Sequence, residues 1–300
     1  MNFAGNLLHS VSYAGLWGQA SLSLDAFIDK AADLSYDGVL LMAKRPHLSV
    51  LDYDTEACTR LRRKIEARGL RHVAIAGYTN FTADLEHGEV PHREIQIQHV
   101  TELARMARDL GAKLVRIYTG YDHPNASYSA QWNMVVGALR ECARRIAPWG
   151  VTIGIQNHHD IAAGYELQYD LIRAVNEPNC LAMFDAWSVF LHGADLRAAA
   201  LKMAPCTAHT TIADYQLRPR YHYDPNMVNY TPATSYVQAV PMGEGAIDYK
   251  AFLAALHEGG FRGTVAYEMC STLIDGGSME TLDDYAARFL RYMKQTGGSV

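Results

Sequence analysis

The 300-residue chain has no apolar stretch long enough to span a membrane. Its opening MetAsnPheAlaGlyAsnLeuLeuHisSer lacks both the basic start and the sustained apolar segment of a secretion signal. The five cysteines, Cys58, Cys142, Cys180, Cys206 and Cys270, are odd in number and far apart, with no CxxC pair. That argues against a disulfide framework and for reduced, buried thiols, so a cytoplasmic location is expected. A formal net charge of −5 without clustered Lys and Arg gives nucleic-acid phosphates nothing to bind. The expected partner is a small molecule, with no nucleic acid and no membrane. No Pro/Gly/Ser-rich linker or low-complexity tract divides the chain, and no GxGxxG follows its first apolar run, so a doubly wound dinucleotide sheet is not supported.

Against these absences stand eight short apolar runs, at 6–13, 38–43, 71–77, 113–118, 151–156, 180–185, 205–212 and 263–268. Between them lie segments of helical periodicity at about 24–35, 54–69, 92–110, 128–147, 166–176, 195–203, 248–259 and 280–294. Strands covered by helices on both faces read as continuous apolar runs. Eight of them alternating with eight helices predict an α/β fold, a (β/α)8 TIM barrel forming one domain over 1–300. Asp54 and Asp248 stand where helices need N-caps, and Gly69, Gly111 and Gly150 follow helix ends. The segment 213–247 is too long for an ordinary connection and is expected to be an irregular βα loop that covers or lines the site.

Four runs of the second half lead to side chains that can ligate a metal: Gln156, Asp185, His209 and Glu268. Strand C-termini of a TIM barrel share one mouth, so the four are expected to converge there. Their separations of 29, 24 and 59 residues fit successive βα units, the last enlarged by the long segment. Oxygen donors with one imidazole suit a hard or borderline divalent ion such as Mn²⁺ or Mg²⁺ better than a thiolate-seeking one.

Fifth to eighth strands ending in Glu, Asp, His and Glu are the pattern of the sugar isomerase/epimerase superfamily, the xylose isomerase-like barrels. The chain resembles that group, in particular its ketose 3-epimerases, hydroxypyruvate isomerases and inosose dehydratases. ValProMetGlyGluGlyAlaIleAspTyr at 240–249 is similar to the family's GxGxIDW-like segment, and LeuSerTyrAspGlyVal at 34–39 to the approach to its second strand. The resemblance covers nearly the whole chain. It implies a divalent ion, Mn²⁺ first with Mg²⁺, Co²⁺ or Zn²⁺ as alternatives, on Gln156, Asp185, His209 and Glu268, and isomerisation or epimerisation of a ketose or keto-sugar through an enediolate. Members often pair, so a homo-oligomer is expected.

Gln156 departs from that pattern. An amide in place of a carboxylate lowers the ligand charge from −3 to −2 and cannot accept a proton at neutral pH. A symmetrical mechanism with one glutamate on each face of the substrate is therefore not available. Glu268 remains as a candidate base, and His158 and His159, just beyond Gln156, are the candidate second acid/base group; the alternative is that one ligates a metal or binds substrate while the other is held by the loop. Elimination needs a base on one face and an acid near the leaving group, so a lyase or dehydratase acting on an inosose or 3-keto-glycoside is the alternative.

Around the same mouth, Lys44 and His47 follow the second strand, and Arg218 and Arg220 bracket Pro219 in the long segment. Tyr13 and Trp17 follow the first strand and Trp187 follows Asp185. These are candidate substrate-binding residues. Each also has a plain structural reading: solvated Lys, loop-pinning salt bridges, or aromatic wall. Trp132 and Trp149 are read as packing. Gly276-Gly277-Ser278 is the one weak phosphate-loop candidate. A catalytically silent sugar-binding barrel is the rival from another class. The superfamily's abasic-site endonucleases are disfavoured by the acidic charge.

Overall fold

In the computed structural model, which describes residues 1–297, parallel strands close into a barrel. They are β1 (Gly5–His9), β2 (Gly38–Met42), β3 (His72–Ala76), β4 (Leu114–Ile117), β5 (Thr152–Gln156), β6 (Cys180–Met183), β7 (Thr207–Ile212) and β10 (Thr264–Tyr267). Each pairs with its neighbour in sequence, and β10 returns to β1 with Gly5 opposite Thr264. The TIM barrel expected from alternating apolar runs is the fold observed. No helix among the described residues is long and apolar enough to cross a membrane.

The helices start and stop where side chains satisfy their free backbone groups. Asp54 accepts from Ala57 N at the start of α2 (Thr55–Ala67), and Asp248 from Ala251 N at the start of α8 (Tyr249–Glu258). Ser23 and Ser127 do the same for α1 (Leu24–Asp33) and α4 (Tyr128–Ile146). Gly111, with φ of 75°, ends α3 (His92–Leu110) in a left-handed conformation that costs glycine nothing. The remaining helices are α5 (Tyr165–Val175), α6 (Ala186–Leu191), α7 (Leu196–Met203) and α9 (Met279–Gly297).

Three expectations need correction. The first strand ends at His9, and Ser10–Tyr13 is a 3-10 turn started by the His9 imidazole accepting from Val11 N. The stretch between β6 and β7 holds α6 as well as α7, giving nine α-helices among the described residues rather than eight. The segment 213–247 is no irregular loop. Its greater part is an antiparallel hairpin of β8 (Tyr215–Asp224) and β9 (Asn229–Ala239), and both faces of its outer half meet solvent. Such a ribbon has no buried face, hence none of the apolar alternation by which a half-buried strand is read.

The hairpin is tied down at its base by Asp214. Its Oδ2 accepts from Gly243 N (2.9 Å) and Gly245 N (3.0 Å), and its Oδ1 from Tyr215 N (3.0 Å). A Cβ on Gly245 would lie 1.8 Å from Oδ1, so only glycine lets the backbone come this close. This clasp is the structural content of the 240–249 motif.

Inside the barrel a small apolar layer, Leu7, Leu40, Ala74, Ala76, Leu114 and Ala266, separates the bottom from the mouth. Because side chains alternate along a strand, the inward residue two positions further on rises above that layer. This rule lifts His9 over Leu7, Arg116 over Leu114 and Glu268 over Ala266.

Candidate active site

Two cavities open at the C-terminal ends of the strands. The larger, about 480 Å³, is bordered by His9, Trp17, Lys44, Tyr78, Arg116, Tyr118, Tyr121, His158, His159, Glu268 and Cys270, among others. The smaller, about 200 Å³, is bordered by Gln156, Asp185, Trp187, Thr211, Tyr215 and Tyr249. His158, Glu268 and Cys270 border both. The barrel mouth is therefore one site with two lobes joined at these three side chains.

Glu268 follows β10 directly, and 17 % of its side chain is accessible. Its Oε2 lies 3.7 Å from His9 Nε2, and Oε1 accepts from the Cys270 thiol at 3.3 Å. Burial holds its carboxyl above the ordinary range, partly offset by the positive field of Arg116. Asp185 is more strongly affected. Desolvation pushes it up to about 7 despite a 2.7 Å hydrogen bond donated by Gln156 Nε2. Asn157 fixes the same turn, its Oδ1 accepting from Asp185 N at 2.9 Å and its Nδ2 donating to Asp185 O and Ser188 Oγ.

His158 and His159 meet Nδ1 to Nδ1 at 3.1 Å, so one of the two rings carries a proton between them. His159 lies flat on Tyr118, with centroids 4.2 Å apart, and against Tyr121 at 4.3 Å. His158 keeps an exposed edge, yet enough protein surrounds it that burial, followed by Arg116, lowers its pKa. His159 is lowered to about 4 by burial, by its neighbour and by Arg116. Both rings are neutral at pH 7 and able to accept a proton.

Among the sequence candidates, Lys44 and Trp17 border the larger cavity and Trp187 the smaller. Lys44 lies over the Tyr78 ring at 4.3 Å, and burial with Arg116 lowers its pKa. Tyr13 is placed elsewhere: it is fully buried against Phe27 and donates to Asp283 in α9. His47 is buried, with its ring between Ser10 Oγ and Leu22 O. Arg218 and Arg220 sit on the hairpin, Arg218 donating to Gln238 Oε1, and border neither cavity.

Three of the four expected metal ligands, Gln156, Asp185 and Glu268, border the smaller cavity together, and His209 does not join them. β7 runs on to Ile212, so His209 falls in mid-strand rather than at the end. Its register partners are Met183, two residues before Asp185, and Thr264, four residues before Glu268. The residue of β7 level with Asp185 is Thr211, and it is Thr211 that borders the smaller cavity. His209 therefore lies one pleat deeper, roughly 6–7 Å down the strand. It is wholly buried, hydrogen-bonded through Nδ1 to Thr264 Oγ1 at 2.7 Å, with Nε2 unpartnered and its pKa lowered by burial to about 3. Gln156 Oε1 is also buried without a partner. Those two orphaned atoms are what a ligand set would leave, but they stand at different depths of the barrel. Among the described residues no three His, Cys, Asp or Glu side chains gather closely enough to hold an ion. The donors present do not fit a closed divalent-metal site.

Sequence reasoning passed over Arg116, His9, Tyr78, Tyr118 and Cys270. A usable signal existed for one of them: Arg116 is the only charged residue inside β4, and a guanidinium facing a barrel interior needs a reason.

A family model described as xylose isomerase-like TIM barrel matches residues 28–294. Among solved structures, an L-ribulose 3-epimerase is similar at 17 % identity and TM-score 0.74, covering 98 % of this chain and 94 % of its own. A D-psicose 3-epimerase from Clostridium cellulolyticum H10, solved with D-tagatose, is similar at 14 % identity and TM-score 0.76, covering 97 % and 99 %. The IOLI protein, solved with a bound zinc atom, is similar at 18 % identity and TM-score 0.73, covering 99 % and 100 %. At these identities the likeness is one of fold. No curated protein matches the chain in sequence.

Proposed function

The chain belongs to the xylose isomerase-like TIM barrel family, and from that premise we propose that it is an isomerase or epimerase of a ketose or keto-sugar. The reaction begins with removal of the proton next to the substrate carbonyl. One observation carries the reading: Glu268, a desolvated carboxylate with a raised pKa, sits where the two lobes meet, beside a pair of neutral histidines. A carboxyl tuned upward is a stronger base than one in water, and a neutral imidazole can complete the proton transfer.

In this reading Glu268 accepts the proton and the substrate becomes an enediolate. The His158/His159 pair takes a proton from solvent and delivers it to the neighbouring carbon, giving isomerisation, or to the opposite face, giving epimerisation, while Glu268 returns its proton to solvent. Tyr118 and Tyr121 hold the His159 ring, and Trp17 at the cavity border offers a face to the sugar's C–H groups. Because the donors expected to ligate a metal are split between two depths, no role is derived for an ion.

Gln156 favours a second reading, β-elimination. It cannot act as a base, and it faces Asp185, a carboxyl raised to about 7 that can donate a proton to a leaving group.

Both readings are tested by incubating the protein in D₂O with ketoses, inososes and 3-keto-glycosides. The first expects deuterium at the carbon next to the carbonyl and its loss in Glu268→Gln. Release of the substituent from 3-substituted substrates, with no exchange into bare ketoses, selects elimination. No reaction with any class, together with sugar binding, makes the chain a silent binder.

A further inference from the structure

Arg116 is the least explained charge in the molecule. It is 2 % exposed, it rises from β4 above Leu114, and it borders the larger cavity. Its guanidinium carbon lies 4.4 Å from the Tyr118 centroid and 5.0 Å from that of Tyr78. Nε and Nη1 have no hydrogen-bond partner. Nη2 lies 3.4 Å from His9 Nε2, but that contact is not a satisfied bond. The Val11 backbone N–H donates to His9 Nδ1, so the neutral ring carries its hydrogen on Nε2 and turns a donor toward Arg116. The carboxylate above it, Glu268, contacts His9 and Cys270 instead.

A buried cation without an anion is costly, and in folded proteins such groups are paired or bind a ligand. The surroundings sharpen the demand. Lys44 shares the wall with Arg116, the two lying 4.3 and 5.0 Å from the centroid of the same Tyr78 ring. Two cations against the single carboxylate of Glu268 leave one positive charge uncompensated at the end of the cavity away from the smaller lobe.

We propose that Arg116, assisted by Lys44, is the seat of a carboxylate carried by the substrate, so that the protein takes an anionic keto-sugar, a sugar acid, rather than a neutral ketose. A planar guanidinium forks onto carboxylate and phosphate alike, and it is the single uncompensated charge that matches a carboxylate monoanion better than a phosphate dianion. Trp17 at the cavity border takes a C–H face of the sugar, and seating the carboxylate at Arg116 directs the rest of the molecule toward Glu268. The keto-sugar part of this assignment rests on the proposed function; the anion seat does not.

The test is calorimetric binding to the unmodified protein, which keeps the Glu268 carboxylate and so the charge balance, with product formation checked in the same cell, using D-fructose, D-fructuronate and D-fructose 6-phosphate as probes. D-fructuronate is expected to bind at least about tenfold more tightly than either. Lys44→Met, a change at an exposed position, is expected to shrink that preference several-fold, and Arg116→Met to abolish it. If Arg116→Met does not fold, the Lys44→Met result decides. Equal binding of D-fructose, tighter binding of the phosphate, or an unchanged preference in Lys44→Met overturns the proposal. Carboxylate-selective binding without deuterium exchange in the unmodified protein upholds the seat and overturns the enolisation reading; exchange with neutral ketoses at equal efficiency does the reverse.

Discussion

Gln156 and Asp185 form a buried amide–carboxylate pair, with Nε2 2.7 Å from Oδ2, at the ends of adjacent strands. The contact gives Gln156 a purpose other than an altered metal ligand: it is the side-chain donor that keeps Asp185 from being a bare carboxylate in a dry lobe. Gln156→Leu removes that donor and is expected to cost about 1–3 kcal/mol, the penalty of an unsatisfied buried acceptor. Urea unfolding at pH 7.5 measures it. A loss within experimental error of zero would mean that water reaches the lobe and replaces the amide.

Glu268→Gln keeps the shape of the junction and removes its base. Deuterium exchange into a turned-over substrate is expected to fall by roughly 10²–10⁴-fold, the usual contribution of a positioned general base. The melting temperature should be nearly unchanged, since Glu268 has no tight charged partner. Retained exchange would transfer the base role to the histidine pair.

The barrel was legible because its strands are covered on both sides and betray themselves as apolar runs, and because Asp54 and Asp248 cap helices where their spacing says they should. The site was half legible. Gln156, Asp185 and Glu268 end strands whose apolar runs stop abruptly. ThrAlaHisThrThrIle has no such stop: His209 is its one ligand-type side chain, but the run and the backbone pairing both carry the strand on to Ile212, so His209 falls short of the end. Arg116 was hidden for the opposite reason, a single charge inside LeuValArgIle that reads as a buried strand. Depth along a strand decides which of two inward side chains reaches the mouth, and depth follows from register, which is set between strands.

Acid should weaken the fold through its histidines. His159 titrates near 4 in the folded chain against 6.5 when unfolded, so the stability it allows is complete above 6.5 and is lost as the pH falls toward 4. In that window the unfolded chain binds a proton that the folded chain refuses. Asp185, raised to about 7 from 3.8, works in the other direction: its contribution is present at low pH and is lost as the pH rises through 7. The difference between the unmodified protein and His159→Gln cancels the Asp185 effect to first order. That difference is expected to reach of order 1–2 kcal/mol at pH 4, after allowing for the partial exposure of the ring, and to vanish above pH 7. Chemical denaturation at half-unit steps of pH reads it, and a pH-independent difference would place the protonation of His159 outside this window.

Thr211 is level with Asp185 and borders the smaller lobe, while His209 is one pleat below. If depth is what keeps the metal donors apart, moving an imidazole up by two residues should close the set. Thr211→His is expected to gain stabilisation by Mn²⁺ that the unmodified chain lacks, about 2.7 kcal/mol when the free ion is a hundred times its dissociation constant. Thermal unfolding with and without the ion, after chelator treatment, compares the two proteins. His209→Gln in the Thr211→His background should leave the response intact, because the deeper ring takes no part. Equal stabilisation of the unmodified chain would mean that Gln156 Oε1, Asp185 and Glu268 capture an ion without an imidazole at the mouth, and the argument from register would fail.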